Sequence, residues 1–245
     1  MHKTKVVILL FFVFISIRAD ASISLWLQSK KLAIVIDDMG YDKKLAYKFL
    51  SLHLPLTYSF LPDAEYSKEL SEEFGFRGYT VMIHMPSEPL NYPKENPGIY
   101  AIYTHMTKKQ TMAVLERAYK LVRHTVGLNN HMGSKILTNK KHLDYIMEFL
   151  KKKHLFFIDS LTINNSLGCK EARKFHVLCA KRDVFLDNKK DVNYIIGQLK
   201  KALRLLKKVD AVVAIGHCNK ETYLALKEMK DKLKPYLVSV EYVVK

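Results

Sequence analysis

Leu32-Ala33-Ile34-Val35-Ile36-Asp37-Asp38-Met39-Gly40 is the stretch that decides the fold of this 245-residue chain. Five apolar residues in a row, three of them β-branched, suit a strand covered on both faces. Two acids then arrive together at its end. The pattern recurs: Thr80–Ile83 ends in His84, and Val126–Leu128 ends in Asn129-Asn130-His131. Leu155–Ile158 ends in Asp159, and Ala211–Gly216 ends in His217. Strands are expected at 32–37, 55–61, 79–84, 126–130, 155–159, 177–179, 210–216 and 236–243, with 183–187 competing with the sixth. Stretches of helical period lie between them, the clearest being Val192, Ile195, Ile196, Leu199, Leu203 and Leu206. Asp42, Asp63, Asn139 and Asn219 are placed to cap helices, and Thr107 with Gln110 forms a capping box. Seven to eight β-α steps predict an α/β fold, a closed or partly open barrel. In such folds ligands bind at the carboxyl ends of the strands, so the acids, amides and imidazoles are expected at one mouth.

The first 21 residues read as a signal peptide rather than as part of the fold. Lys3 and Lys5 precede the apolar stretch Val6–Ile17, and Ala19-Asp20-Ala21 offers a small-x-small cleavage site. Twelve apolar residues fall short of the ~20 needed to span a bilayer. Residues 22–245 are expected to form one exported domain with no stable membrane span, periplasmic in a diderm bacterium. The length suits a single barrel with a large core.

Forty basic residues against 24 acidic ones give a net charge of +16, which attracts anions. Export argues against nucleic acid as the partner. Lys140-Lys141, Lys151-Lys152-Lys153, Lys200-Lys201 and Lys207-Lys208 lie on or beside predicted helices and read as solvated faces. Cys169 and Cys179 could close a short loop, which spacing alone leaves open. Cys218 directly follows His217.

The strand ends carry the candidate chemistry. Side chains of Asp37 and Asp38 reach one cleft only if the chain turns there, and Gly40 permits a turn. Neutral imidazoles at His84 and His131 could ligate a metal. Asn129 and Asn130 suit sugar hydroxyls or an amide, and burying them without partners would be costly. Glu88, in a proline-framed loop, reaches towards the mouth; Asp159 and Arg182 join it as further groups for a glycan. An Asp beside His217 would set its tautomer and raise its pKa, and Arg182-Asp183 and Asp187-Asn188 both precede it by one helix. The histidines at 53, 105, 124, 142, 154 and 176 read as surface groups.

Taken in order, Ile34-Val35-Ile36-Asp37-Asp38-Met39-Gly40-Tyr41, Ser59-Phe60-Leu61-Pro62, His84-Met85-Pro86-Ser87-Glu88-Pro89 and Gly127–Ser134 resemble the divergent polysaccharide deacetylases, relatives of the NodB-type carbohydrate esterases. Phe157–Ser160, Arg182–Asp187 and Ile215-Gly216-His217 continue the resemblance over nearly the whole exported part. It implies a distorted NodB-like (β/α) barrel that removes acetyl groups from amides or esters of a polysaccharide or peptidoglycan-type glycan, using a divalent metal, expected to be zinc. It also implies Asp37 as base and Asp38 as metal ligand. NodB-type enzymes carry a His-x-x-x-His ligand pair, whereas here Glu88 stands where the second His would fall. His131 is the candidate for that imidazole, with Glu88 the alternative. On this reading Asp38, His84 and His131 hold the metal, and His217, oriented by Asp183, acts as general acid. The rivals are a glycan-binding barrel that has lost the chemistry and a cysteine hydrolase built on Cys218 and His217.

Overall fold

Period-two alternation sorts each strand's side chains into two layers. In the computed structural model, which describes residues 30–98 and 100–245, β1 (Lys31–Met39) sends Leu32, Ile34 and Ile36 to the layer packed under helices. Ala33 and Val35 join Met82, Ile158, Val213 and Ile215 in a separate inner cluster, the barrel interior. The expected signal peptide lies outside the described residues. No described helix is long and apolar enough to cross a membrane.

Eight further strands follow: β2 (Thr57–Phe60), β3 (Thr80–Ser87), β4 (Thr125–Met132), β5 (Phe156–Asp159), β6 (Cys179–Lys181), β7 (Val184–Phe185), β8 (Ala211–His217) and β9 (Leu237–Val238). They run in the order β6-β5-β4-β3-β2-β1-β8-β7, with β9 against the start of β1, and every pairing is parallel. The described helices are α1 (Lys43–Leu50), α2 (Ser67–Phe76), α3 (Lys108–Leu121), α4 (Lys140–Lys153), α5 (Gly168–Lys174), α6 (Val192–Leu205) and α7 (Lys220–Leu233). The result is a curled, open parallel sheet, a half-barrel of the distorted NodB-like kind.

The curl has a covalent cause. Lys181 pairs with Asp159 at one end of the sheet, and Val184 pairs with Ala214 at the other. Three residue steps of at most about 3.6 Å each connect them, so the two edges must lie close. The two competing strand regions near 180 therefore each yield a strand, one for each edge, although the first lies at Cys179–Lys181 rather than 177–179 and the second shortens to Val184–Phe185. Below, the expected strand at 236–243 shortens to Leu237–Val238, and the rest of the tail becomes a floor. Val240 and Val243 enter the inner cluster, and Lys245 exchanges backbone hydrogen bonds with Cys179 (3.0 and 3.3 Å). Gly127 is needed inside, because a Cβ there would come within 2.3 Å of the Phe156 ring.

Asp42, Asn139, Asn219 and the Thr107–Gln110 box cap their helices as expected. Asp63 does not: α2 begins at Ser67, whose hydroxyl turns back to the Leu61 carbonyl, and the helix has no side-chain cap. His142 is not a surface group either. It is buried, with Nε2 3.1 Å from the Met106 carbonyl, and so holds the end of the long loop after β3. Cys169 and Cys179 form a disulfide between α5 and β6.

Candidate metal and catalytic site

The same alternation that builds the interior delivers the site. Continuing inward from Ala33 and Val35 brings Asp37 to the mouth; from Met82, His84; from Gly127, Asn129 and His131; from Val213 and Ile215, His217. Asp38 would point away, but its φ of 56° throws the chain into the left-handed region and turns the carboxylate back. Asp tolerates that conformation better than most residues, at a cost of about 1–2 kcal/mol. The turn therefore falls on Asp38 itself, one residue before Met39. Gly40 (φ 116°) has a different task, since a Cβ there would meet the Ser67 hydroxyl at 2.1 Å.

Asp38 Oδ1 lies 3.3 Å from His84 Nε2 and 3.2 Å from His131 Nδ1, and those two nitrogens are 3.2 Å apart. One ligand atom from each of the three residues falls within 4.8 Å of the others. Asp38 Oδ1 is buried and makes no well-formed hydrogen bond, although both imidazoles lie close. Three potential ligand atoms converging on one point are a donor set for a cation, and one carboxylate with two imidazoles suits zinc or a similar divalent ion. The electrostatics agree. Burial alone would raise Asp38, yet the imidazoles of His131 and His84 outweigh it and hold the carboxyl well below the usual carboxylate range. Burial pulls His84 down, but Asp37 and Asp38 win and raise it. The cluster attracts positive charge.

Asn129 organises the next layer. Its amide nitrogen donates to both oxygens of Asp37 (2.9 and 3.0 Å), and its oxygen accepts from the Ser59 hydroxyl and lies 2.9 Å from His84 Nδ1 (2.6 Å for Ser59). One amide thus holds the acid and turns Nε2 of His84 towards Asp38, as outer partners of metal ligands commonly do. Asp37 is 2 % exposed, and burial raises its pKa against the pull of His84, His217 and Asn129. His217 Nδ1 lies 2.9 Å from Asp187 Oδ1, and the second Asp187 oxygen accepts from the His217 amide and from the Asn219 and Thr222 side chains. Burial lowers His217, but its bond to Asp187 prevails and brings the pKa up to about 9.

That contact corrects the expectation for Asp183. With Val184 beside Ala214 and Phe185 beside Ile215, the register sets Asp187 level with His217 and Asp183 level with Val213. Four positions along a strand are about 13 Å. Asp183 accepts from the Val213 amide at 2.8 Å, far below the mouth. The groups expected to hold glycan are also reassigned. Glu88 is 4 % exposed and takes Thr104 on one oxygen (2.6 and 2.7 Å) and Lys135 on the other (2.7 Å), so it braces the loop instead of ligating. Asn129 is wholly buried in the clamp just described. Asn130 bonds the Met132 carbonyl and the Ser160 amide; Asp159 bonds the Leu161 amide and the Ser166 hydroxyl. Arg182 donates to the Ser160 and Leu161 carbonyls (2.7 and 2.9 Å), tying the loop after β5 across the gap to β7. Asp187 was the other acid that the sequence set one helix before His217, and the signal that favours it over Asp183 was available: it shares inward parity with Phe185 and lies two residues beyond the end of β7, towards the mouth. The cysteine-hydrolase rival loses its nucleophile, since burial pushes the Cys218 thiol up to about 12.

The divergent polysaccharide deacetylase family matches residues 34–244. The chain belongs to that family. An uncharacterized protein of Haemophilus influenzae is 33% identical over 196 residues, 80% of this chain and 69% of that protein. The crystal structure of an uncharacterized Agrobacterium tumefaciens protein is similar with a TM-score of 0.82 at 20% identity, over 89% of this chain and 90% of its own. The catalytic domain of a peptidoglycan N-acetylglucosamine deacetylase from Eubacterium rectale is similar at a TM-score of 0.57 and 12% identity, over 86% and 88% of the two chains. These likenesses to solved structures establish a shared fold. Within this divergent polysaccharide deacetylase, β4 rather than the loop after β3 supplies the second imidazole of the cluster.

Proposed function

We propose that this divergent polysaccharide deacetylase is an active metal-dependent hydrolase that removes acetyl groups from an envelope glycan. The observation that carries the reading is the meeting of Asp38, His84 and His131 beside Asp37 and His217 at one mouth. Asp38, His84 and His131 would hold a divalent cation, zinc by the chemistry of the donors. Such an ion, when bound, supplies a water of pKa ~7 and polarises the acyl carbonyl. Asp37, raised by burial and aimed by Asn129, takes the proton of the attacking water on a carboxylate oxygen. His217 is protonated at neutral pH and gives a proton from Nε2 to the departing nitrogen or oxygen, while Asp187 keeps Nδ1 occupied.

The glycan is assigned by analogy of fold with the Eubacterium rectale enzyme and by the leader: Lys3, Lys5, Val6–Ile17 and Ala19-Asp20-Ala21 direct the domain out of the cytoplasm. The Cys169–Cys179 disulfide supports an oxidising compartment. The test is acetate release from N-acetylglucosamine oligomers and purified peptidoglycan by the zinc-loaded protein. Turnover is expected, with His131→Ala losing bound metal and Asp37→Asn retaining metal while losing at least about 100-fold in rate. Metal binding without any acetate release from either substrate would favour the glycan-binding alternative, and absence of metal binding would overturn the site.

A further inference from the structure

Because every strand runs the same way, the turns from helix to strand collect on the face opposite the mouth. Those turns have a common composition. Arg77 follows α2, Arg123 follows α3, Lys151 and Lys152 close α4, Lys207 and Lys208 follow α6, and Lys234 follows α7; all are exposed. Lys31 opens β1 on the same side. The mouth side is mixed instead, with Lys43, Lys140 and Lys189 standing among Asp42, Asp63 and Asp191. Two of the lysine runs that read individually as solvated helix ends, Lys151-Lys152-Lys153 and Lys207-Lys208, are thus brought by the topology onto one face.

Apolar side chains stand among them. Phe76 is 75 % exposed, Leu178 55 %, Val209 45 % and Tyr236 40 %, one in each of four of these turns. The turns are neighbours: the Phe76 ring meets His124 at 4.6 Å, and shallow clefts join His154 to Leu178 and Lys181 to Lys208 and Val209. Scattered exposed apolar groups need no explanation, but four on one strongly basic face do. Cations that reach headgroup phosphates, with aromatic and aliphatic tips set between them, are the composition of a surface that rests on a bilayer. A protein partner would be expected to bury a contiguous apolar patch, whereas here the apolar groups are separated by charge.

We propose that this face docks on a bilayer rich in anionic phospholipid, which turns the mouth away from the membrane. The inference is independent of the acetyl-hydrolase reading, since it uses none of the site residues. The full chain is mixed with vesicles of phosphatidylcholine alone or with about a third phosphatidylglycerol, and sedimented. Preferential binding to the anionic vesicles is expected, falling as salt rises. Lys207→Glu/Lys208→Glu should weaken that preference at least about 25-fold, taking roughly fivefold for each lost lysine contact. Lys189→Glu/Lys190→Glu, on the mouth side, changes the net charge equally and should weaken it far less. Equal losses in the two variants would mean that overall charge, not this face, is responsible, and the proposal would fall. With Trp26→Phe as background, Tyr236→Trp should blue-shift and be quenched by brominated lipid, whereas Tyr92→Trp should not. Quenching only at position 92, or at neither, would also overturn it. Retained acetate release or metal binding in every variant separates this outcome from failure of the catalytic reading.

Discussion

At the scale of single residues, the site is governed by who partners whom. His217 is raised because Asp187, itself lowered by that imidazole against the opposing effect of burial, holds its Nδ1. A histidine raised in the folded state contributes stability that is whole below its unfolded pKa of roughly 6.5 and is lost as pH rises through about 9. The carboxylate has the opposite sense, contributing above its unfolded value and losing that contribution in acid. The catalytic consequence follows the same sign. A general acid at His217 stops working as pH climbs past about 9, so the alkaline limb of the rate profile should fall there. In Asp187→Asn the imidazole loses its largest upward influence, and that limb should move down by at least one pH unit. Initial rates measured between pH 5 and 10 check this; an unmoved limb would remove His217 from the role. Asp183→Asn, at the barrel floor, should leave the profile in place.

At the scale of elements, α5 and β6 are short and rely on a covalent tie. The helix has seven residues and the strand three, and β6 is the edge of the sheet. The Cys169–Cys179 bridge, ten residues apart in sequence, restricts the unfolded chain by about 2–3 kcal/mol. Replacing both cysteines by serine should lower Tm by roughly 5–10 °C for a domain of this size. Calorimetry on the oxidised protein and the double variant measures it directly. The loss should appear as earlier amide exchange in β6 and at Lys245, which bonds to it, more than in β1 or β8. Gly127→Val makes a complementary point about β4. A side chain there collides with Phe156 inside the barrel, and the expected cost is about 1–3 kcal/mol with no change in the disulfide.

At the scale of the whole molecule, the site draws its three ligand residues from β1, β3 and β4, so filling it should brace the barrel. Anything that binds only the folded state stabilises it, by ~4 kcal/mol at a thousandfold excess over Kd. Zinc should therefore raise Tm of the wild-type chain by several degrees and leave Asp38→Ala unmoved; an equal rise in both would place the metal elsewhere. Much of this was legible before any coordinates. The apolar runs, their β-branched residues and the helix caps are local signals, and they determined a parallel α/β barrel with Asp, His and Asn at its strand ends. Even the inward parity of Asp37, His84 and His217 follows from counting by twos along each run. Tertiary structure alone decided the rest. Asp38 joins the cluster through a left-handed backbone that no pattern of side chains announces. Asp187 rather than Asp183 reaches His217 because register between β7 and β8 is set by packing across some thirty residues of chain. Glu88 and Asn130 turn inward to the protein because their hydrogen-bond partners come from loops distant in sequence. Hydrophobic periodicity is a property of neighbours along the chain, whereas the pairing of one polar group with another depends on where separate segments come to rest.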